Sequence, residues 1–231
     1  MKNRRNHLLF GVGALLLSGC VASQTGKDYH PFETVEIDSC LTILIDMSGS
    51  FATRWDDEAY PLFLELSETY FTEAMGTENR LVIAQLSGNN QAVLFEGKPA
   101  DLQSRFRSPE DLVSFLRERS DGASSQVYRA IKSTTDYLLQ MQGVSERTRL
   151  MTVVLSDLRD TGAGAARRTA GSSMIESLRE YRERGGALAL YYVGTEEMPR
   201  WESILAESGF SSNDYLIQGE LTATPQLPKF D

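Results

Sequence analysis

Asp46-Met47-Ser48-Gly49-Ser50 alternates one acid and two hydroxyls along five residues. A tight turn there would aim all three oxygens at one point, and Gly49 permits such a turn. One carboxylate and two hydroxyls are hard ligands, suited to Mg2+ or a similar ion and not to zinc. Other chemistries are short of material. The chain has two histidines and two cysteines, too few for a Cys/His zinc site. A Ser-His-Asp or Cys-His unit would have to use His30, in a polar, broken segment, which argues against hydrolases of those kinds.

The position of the acid-hydroxyl segment depends on the elements around it. Leu41 to Ile45 is a continuous apolar run, as expected of a central strand buried on both faces. Leu150–Leu155 and Ala187–Val193 have the same character, and Tyr215–Gln218 reads as a short last strand. Arg80–Leu86 and Gln91–Phe95 are strand-like, and the short Gly88-Asn89-Asn90 link favours an antiparallel pair. Helical spacing marks residues 61–75, 126–142, 173–184 and 197–208. Ser108-Pro109-Glu110-Asp111 reads as a helix start, and Gly185-Gly186 as a helix end. Residues 161–171, rich in Gly, Ala, Thr and Arg, read as a mobile loop. Pro61 disfavours helix at Tyr60, so residues 51–60 are expected to form a lip carrying Arg54, Asp56, Asp57 and Glu58. The alternation of strands and helices predicts an α/β fold: an open, mostly parallel, doubly wound (Rossmann-like) sheet with one antiparallel edge strand. Ligands of such sheets bind at the carboxyl ends of the strands, near the topological switch point, and Asp46 follows the first strand.

In that setting the segment resembles the DxSxS motif that opens the metal-ion-dependent adhesion site of von Willebrand factor A (vWA) and integrin inserted domains. The resemblance covers residues 39–219. It implies two further ligands from later loops. Ser125, in Ser124-Ser125-Gln126-Val127, stands where the family usually has Thr, and Asp157, in Val153-Val154-Leu155-Ser156-Asp157, stands at the family's second acid. The implied metal set is therefore Asp46, Ser48, Ser50, Ser125 and Asp157, holding Mg2+, or Mn2+ or Ca2+. The implied partner is a protein that supplies a carboxylate to the ion. Two departures stand out: Ser for Thr at 125, and Leu158 for the usual Gly after the acid. Arg54, Asp56, Arg167 and Arg168 are candidate partner-binding residues on the rim.

The ends of the chain suggest where such a module would work. Lys2, Arg4 and Arg5 precede the apolar run Leu8–Leu17, and small residues lead to Cys20. This is the pattern of a secretory signal peptide, and Leu17-Ser18-Gly19-Cys20 looks like a bacterial lipobox. That resemblance implies cleavage before Cys20 and its lipidation. The reading is then a signal peptide (1–19), a lipidated tether (20–38), a vWA domain (39–219) and a tail (220–231). It implies attachment to a lipid bilayer in the cell envelope. Val21, in place of an Asp after the cysteine, favours the outer membrane facing the periplasm if the source is Gram-negative. The formal net charge is −9, and loss of the leader makes it three units more negative. That balance argues against nucleic acid as a partner. Cys40 would be the one thiol left, read as a buried small hydrophobe. The expected function is metal-dependent binding and not catalysis. The alternatives are a metal-free scaffold using the same rim, and a Mg2+-dependent phosphatase-like enzyme. The latter is weakened because Ser48 stands where phosphatases of the DxD type carry a second acid.

Overall fold

The structure is a computed structural model, and it describes residues 35–48, 51, 54, 58–65, 76–86, 92–119 and 124–219. The leader, Cys20, Ser50, Asp56, Asp57 and the tail lie outside the described residues. No described helix is long and apolar enough to cross a membrane.

Six strands form one sheet: β1 (Ser39–Ile45), β2 (Asn79–Gln85), β3 (Val93–Gly97), β4 (Arg149–Leu155), β5 (Ala187–Tyr191) and β6 (Tyr215–Gln218). Their order is β3-β2-β1-β4-β5-β6. All neighbours are parallel except β2 and β3, which are antiparallel with an irregularity at Ile83/Ala84. The expected sheet and its one antiparallel edge strand are therefore present.

Helices cover both faces, and the period-2 geometry of a strand assigns each residue of β1 to one of them. Cys40 and Leu44 point into a core shared with Val127, Ile131, Leu138, Leu178, Tyr181, Trp201 and Leu205. These come from α4 (Val127–Gln140), α5 (Gly164–Glu183) and α6 (Met198–Glu207). Leu41, Ile43 and Ile45 point into a second core with Leu62, Phe63, Leu112 and Leu116. These belong to helical residues 58–65 (α1) and to α3 (Pro109–Arg119). A strand with apolar partners on both sides must itself be largely apolar, and SCLTILI is buried from end to end, its Ser39 hydroxyl donating to Asn79 Oδ1 at 2.6 Å. Cys40 is a free, buried thiol, and burial pushes its pKa up to about 12.

Two expectations about helices need correction, and one helix had no expectation. Of residues 161–171, only 161–163 are a loop, since α5 begins at Gly164. Gly164 enters it with φ 60, a left-handed conformation glycine adopts without a Cβ clash. Ala165, Ala166 and Ala170 then favour helix, and the Arg167 guanidinium lies over the Tyr128 ring, 5.5 Å from its centroid. The lip at 51–60 is also partly helical: residue 54 is helical, and residues 58–60 already wind into α1, with a π-type turn at 58–59. Pro61 has no N–H to donate, and the wider turn before it carries the helix through Tyr60. Finally, α2 (Pro99–Arg105) was not anticipated. Its signals are local: Pro99 occupies the first turn, and the Lys98 N–H donates to Asp101 Oδ2 at 2.8 Å.

Candidate functional site

β1 and β4 run in register, Ile45 beside Leu155. Asp46 and Ser156 are therefore the first residues beyond two neighbouring strands, at the point where the strand order reverses. The backbone holds them there. The Asp46 N–H donates to Leu155 O at 3.0 Å, the Leu86 N–H to Ile45 O at 3.0 Å and the Ser156 N–H to Tyr191 O at 3.2 Å. Ser125 reaches the same point because its segment is fixed on two sides. The Gln126 N–H donates to Leu86 O at 2.9 Å. The Thr161 N–H and hydroxyl both donate to Ser125 O, at 2.9 and 2.8 Å.

Asp46 is fully buried, and its carboxylate is the centre of the cluster. Oδ1 accepts the Ser48 N–H at 2.9 Å. Oδ2 accepts the Ser156 hydroxyl at 2.6 Å and, more distantly, the Ser125 hydroxyl at 3.5 Å. Ser48, Ser125 and Ser156 are buried too. Among the described residues, no lysine or arginine pairs with Asp46. No three His, Cys, Asp or Glu side chains converge on one point among the described residues. The side-chain oxygens shown at this site are the Asp46 carboxylate and the Ser125 and Ser156 hydroxyls.

Of the expected ligands, the structure thus brings the Asp46 carboxylate and the Ser125 hydroxyl together, and Ser48 meets Asp46 through its backbone N–H. Ser50 lies outside the described residues. Asp157 sits one residue beyond the cluster, half-buried, and its Oδ1 accepts the Arg159 N–H at 3.0 Å. No hydrogen bond joins its carboxylate to Asp46 among the described residues. It lines a cleft of about 420 Å3 with Arg54, Arg159 and Tyr192. Arg167 lines a different cleft, beside Ser124, and Arg168 is exposed on α5. Asp56 lies outside the described residues.

Ser156 is the functional residue that sequence reasoning left unassigned. Its hydroxyl donates to Asp46 and accepts the Leu158 N–H at 2.9 Å, so one side chain ties the acid to the turn after β4. That turn explains Leu158. Its φ is 61, so the backbone keeps the left-handed geometry that glycine usually supplies. The leucine side chain is buried in the core on the α4/α5 side, and that burial offsets the conformational strain. Tyr192, at the end of β5, is a second non-glycine residue with positive φ, 67. Its buried hydroxyl has no hydrogen-bond partner among the described residues. Among the described residues, both non-glycine positions with positive φ therefore lie just beyond the carboxyl ends of β4 and β5, on one side of Asp46.

A search of protein-family models returned no match, and a search of curated proteins returned none either. Solved structures do resemble the chain. The SpRpn10 VWA domain superposes with a TM-score of 0.54 at 14% identity, covering 82% of this chain and 90% of that one. The pilus adhesin SpaC from Lactobacillus rhamnosus GG, in its open conformation, gives 0.54 at 9% identity and 82% of this chain, which spans 28% of the adhesin. Manganese-loaded TRAP protein from Plasmodium vivax gives 0.50 at 13% identity, covering 80% of this chain and 68% of that one. At these identities the likeness concerns the fold. With the strand order, the single antiparallel edge and the helices on both faces, it shows that this chain has the von Willebrand factor A fold.

Proposed function

We propose that the domain is a protein-binding module that works through a divalent cation, with Asp46, Ser48, Ser50, Ser125 and Asp157 as the residues that would hold the ion. The carrying observation is Asp46 itself. A carboxylate taken wholly out of water is costly unless compensated. Asp46 has hydroxyl and amide donors around it but no protein cation among the described residues. A hard cation would complete the compensation, and an all-oxygen set of acids and hydroxyls fits Mg2+ or Mn2+. When bound, the ion would supply a positive centre for a carboxylate of the partner. Asp46, the serines and Asp157 would hold it, and Asp157 also lines the adjoining cleft. The TRAP structure with the same fold is manganese-loaded, which supports divalent binding here. The fold of the pilus adhesin supports adhesion or assembly as the use. Nothing in the proposed role requires catalysis, and we propose none.

One observation favours a second reading, a metal-free scaffold. The Ser48 N–H and the Ser156 hydroxyl already satisfy one lone pair on each oxygen of Asp46, so the turn can form without an ion. Calorimetric titration with Mg2+, Mn2+ and Ca2+ separates the two. The expected result is one saturable site in the wild type that is lost in Asp157→Ala. The absence of any saturable site would leave the scaffold reading in its place.

We further propose that residues 1–19 are a signal peptide, that Cys20 carries lipid and that residues 20–38 tether domain 39–219 to a membrane of the cell envelope, the outer membrane facing the periplasm in a Gram-negative source. The support is the basic-apolar-small-Cys pattern of the sequence. Each buried CH2 of an acyl chain contributes about 0.8 kcal/mol, so several chains anchor stably. After expression in a Gram-negative bacterium fed radiolabelled palmitate, the wild type should carry label in the membrane fraction, and Cys20→Ser should carry none. Equal labelling of both proteins would remove the anchor.

A further inference from the structure

A cleft of about 290 Å3 opens beside the proposed ion site, beginning at Ser124, the neighbour of Ser125, and lined by Arg129, Asp160, Thr161 and Arg167. Its two arginines run against local preference. Arg129 lies in the first turn of α4 and Arg167 in the first turn of α5, where the helix dipole favours anions. Neither helix has an acid in its first turn. Cations held where the backbone already carries positive partial charge give a strongly anion-attracting surface, on a chain whose net charge is −9.

Both arginines are also held in place. Arg167 is stacked on Tyr128, its side chain is 29% exposed, and its Nε lies 3.7 Å from Asp160 Oδ1. Asp160 does not neutralise the cleft, because one carboxylate stands against two guanidinium groups; its Oδ2 accepts the Tyr128 N–H at 3.1 Å and its Oδ1 the Gly162 N–H at 2.8 Å. Arg129 is held by a neutral group, Gln126 Oε1, at 3.2 Å. Among the described residues it has no carboxylate partner. An exposed guanidinium fixed in position without an acid is ready for one supplied from outside, and a planar fork suits a carboxylate. The volume accommodates one acidic side chain and its peptide unit, and is small for a cofactor.

We infer that the partner is an acidic segment of a protein that presents two carboxylates, the second of which docks between Arg129 and Arg167 in this cleft. The inference rests on the proposed ion site, which takes the first carboxylate. The cleft sets specificity, since a segment with a single acid would engage the ion and leave Arg129 without a carboxylate.

The test uses acetyl-Glu-Glu-amide and its homologues with one to three intervening glycines, each beside a version with Gln in place of the second Glu. Binding is followed by NMR shifts of the amides of residues 124–129 and 160–168, in Mg2+ and in chelator. In Mg2+, at least one di-acid peptide should bind about tenfold more tightly than its Gln version, as expected for a hydrogen bond to a charged group. Arg129→Gln, a change at an exposed position, should abolish that difference, and so should Arg167→Gln. A di-acid preference that survives both substitutions, or no preference at any spacing, overturns the inference. Failure of the ion site looks different: chelator would leave every affinity unchanged, while the arginine-dependent preference would still report the cleft.

Discussion

Asp46→Asn should unfold in chelator at the same urea concentration as the wild type or slightly above it, and should fall behind only when Mg2+ is added. Asparagine keeps the volume of Asp46 and can still accept the Ser156 hydroxyl or the Ser48 N–H. It removes a fully buried charge, whose desolvation weighs against folding when no cation is bound. In chelator the two proteins should therefore lie within about 1 kcal/mol of each other. A ligand that binds only the folded state stabilises it by RT ln(1 + [L]/Kd), about 2.7 kcal/mol at one hundred times Kd. The wild type should gain that amount in Mg2+, against NaCl of equal ionic strength, and Asp46→Asn almost none of it. Should both variants respond equally to Mg2+, or neither respond, the acid is not an ion ligand. A large loss in chelator alone would make Asp46 purely structural, an anchor for the turns after β1 and β4.

That comparison is possible because the site was only partly legible in the sequence. The central strands were readable from Leu41–Ile45, Leu150–Leu155 and Ala187–Val193. A strand buried on both faces admits few polar residues, and those only with partners, as Thr152 has in Tyr181, so its signature is local. Asp46 at the end of such a strand was readable for the same reason. Ser156 was not. Its role follows from the β1/β4 register, which places it beside Asp46, and no local pattern encodes which strand lies next to which. The clefts were invisible for a similar reason, since Arg129 and Arg167 lie 38 positions apart and meet only through the packing of α4 on α5. The first turns of α5 failed as a prediction because composition and context disagreed. Gly164 and Thr169 among small residues read as a loop, but the alanines and the contact of Arg167 with Tyr128 make a helix. Pro61 misled in the opposite direction, because the restriction it imposes on Tyr60 is met by a π-type turn and the helix does not stop.

The end of α5 was readable as Gly185-Gly186, but the two glycines are there for different reasons, and this yields the other large effect. Gly185 has φ 79, and its N–H donates to Arg182 O at 2.9 Å, while the Gly186 N–H donates to Tyr181 O at 2.9 Å. This is a Schellman ending, in which the first glycine supplies the left-handed residue. A Cβ on Gly185 would meet nothing within 4 Å, so Gly185→Ala should cost only the conformational preference, about 1 kcal/mol. A Cβ on Gly186 would lie 2.6 Å from Tyr181 Cζ and closer still to two other ring carbons. The ring cannot easily retreat: Tyr181 is fully buried, and its hydroxyl shares a 2.8 Å hydrogen bond with Thr152 Oγ1 of β4. Gly186→Ala must then strain the core or break that bond, for about 3 kcal/mol in all. Urea unfolding of both single variants measures the difference. Adding Tyr181→Leu should recover at least about 1 kcal/mol of the Gly186→Ala loss in a double-mutant cycle, as expected for two groups in direct collision. A Gly186→Ala protein no less stable than Gly185→Ala, or a cycle with no coupling, would mean that the ring yields freely and that close approach is not what requires the second glycine.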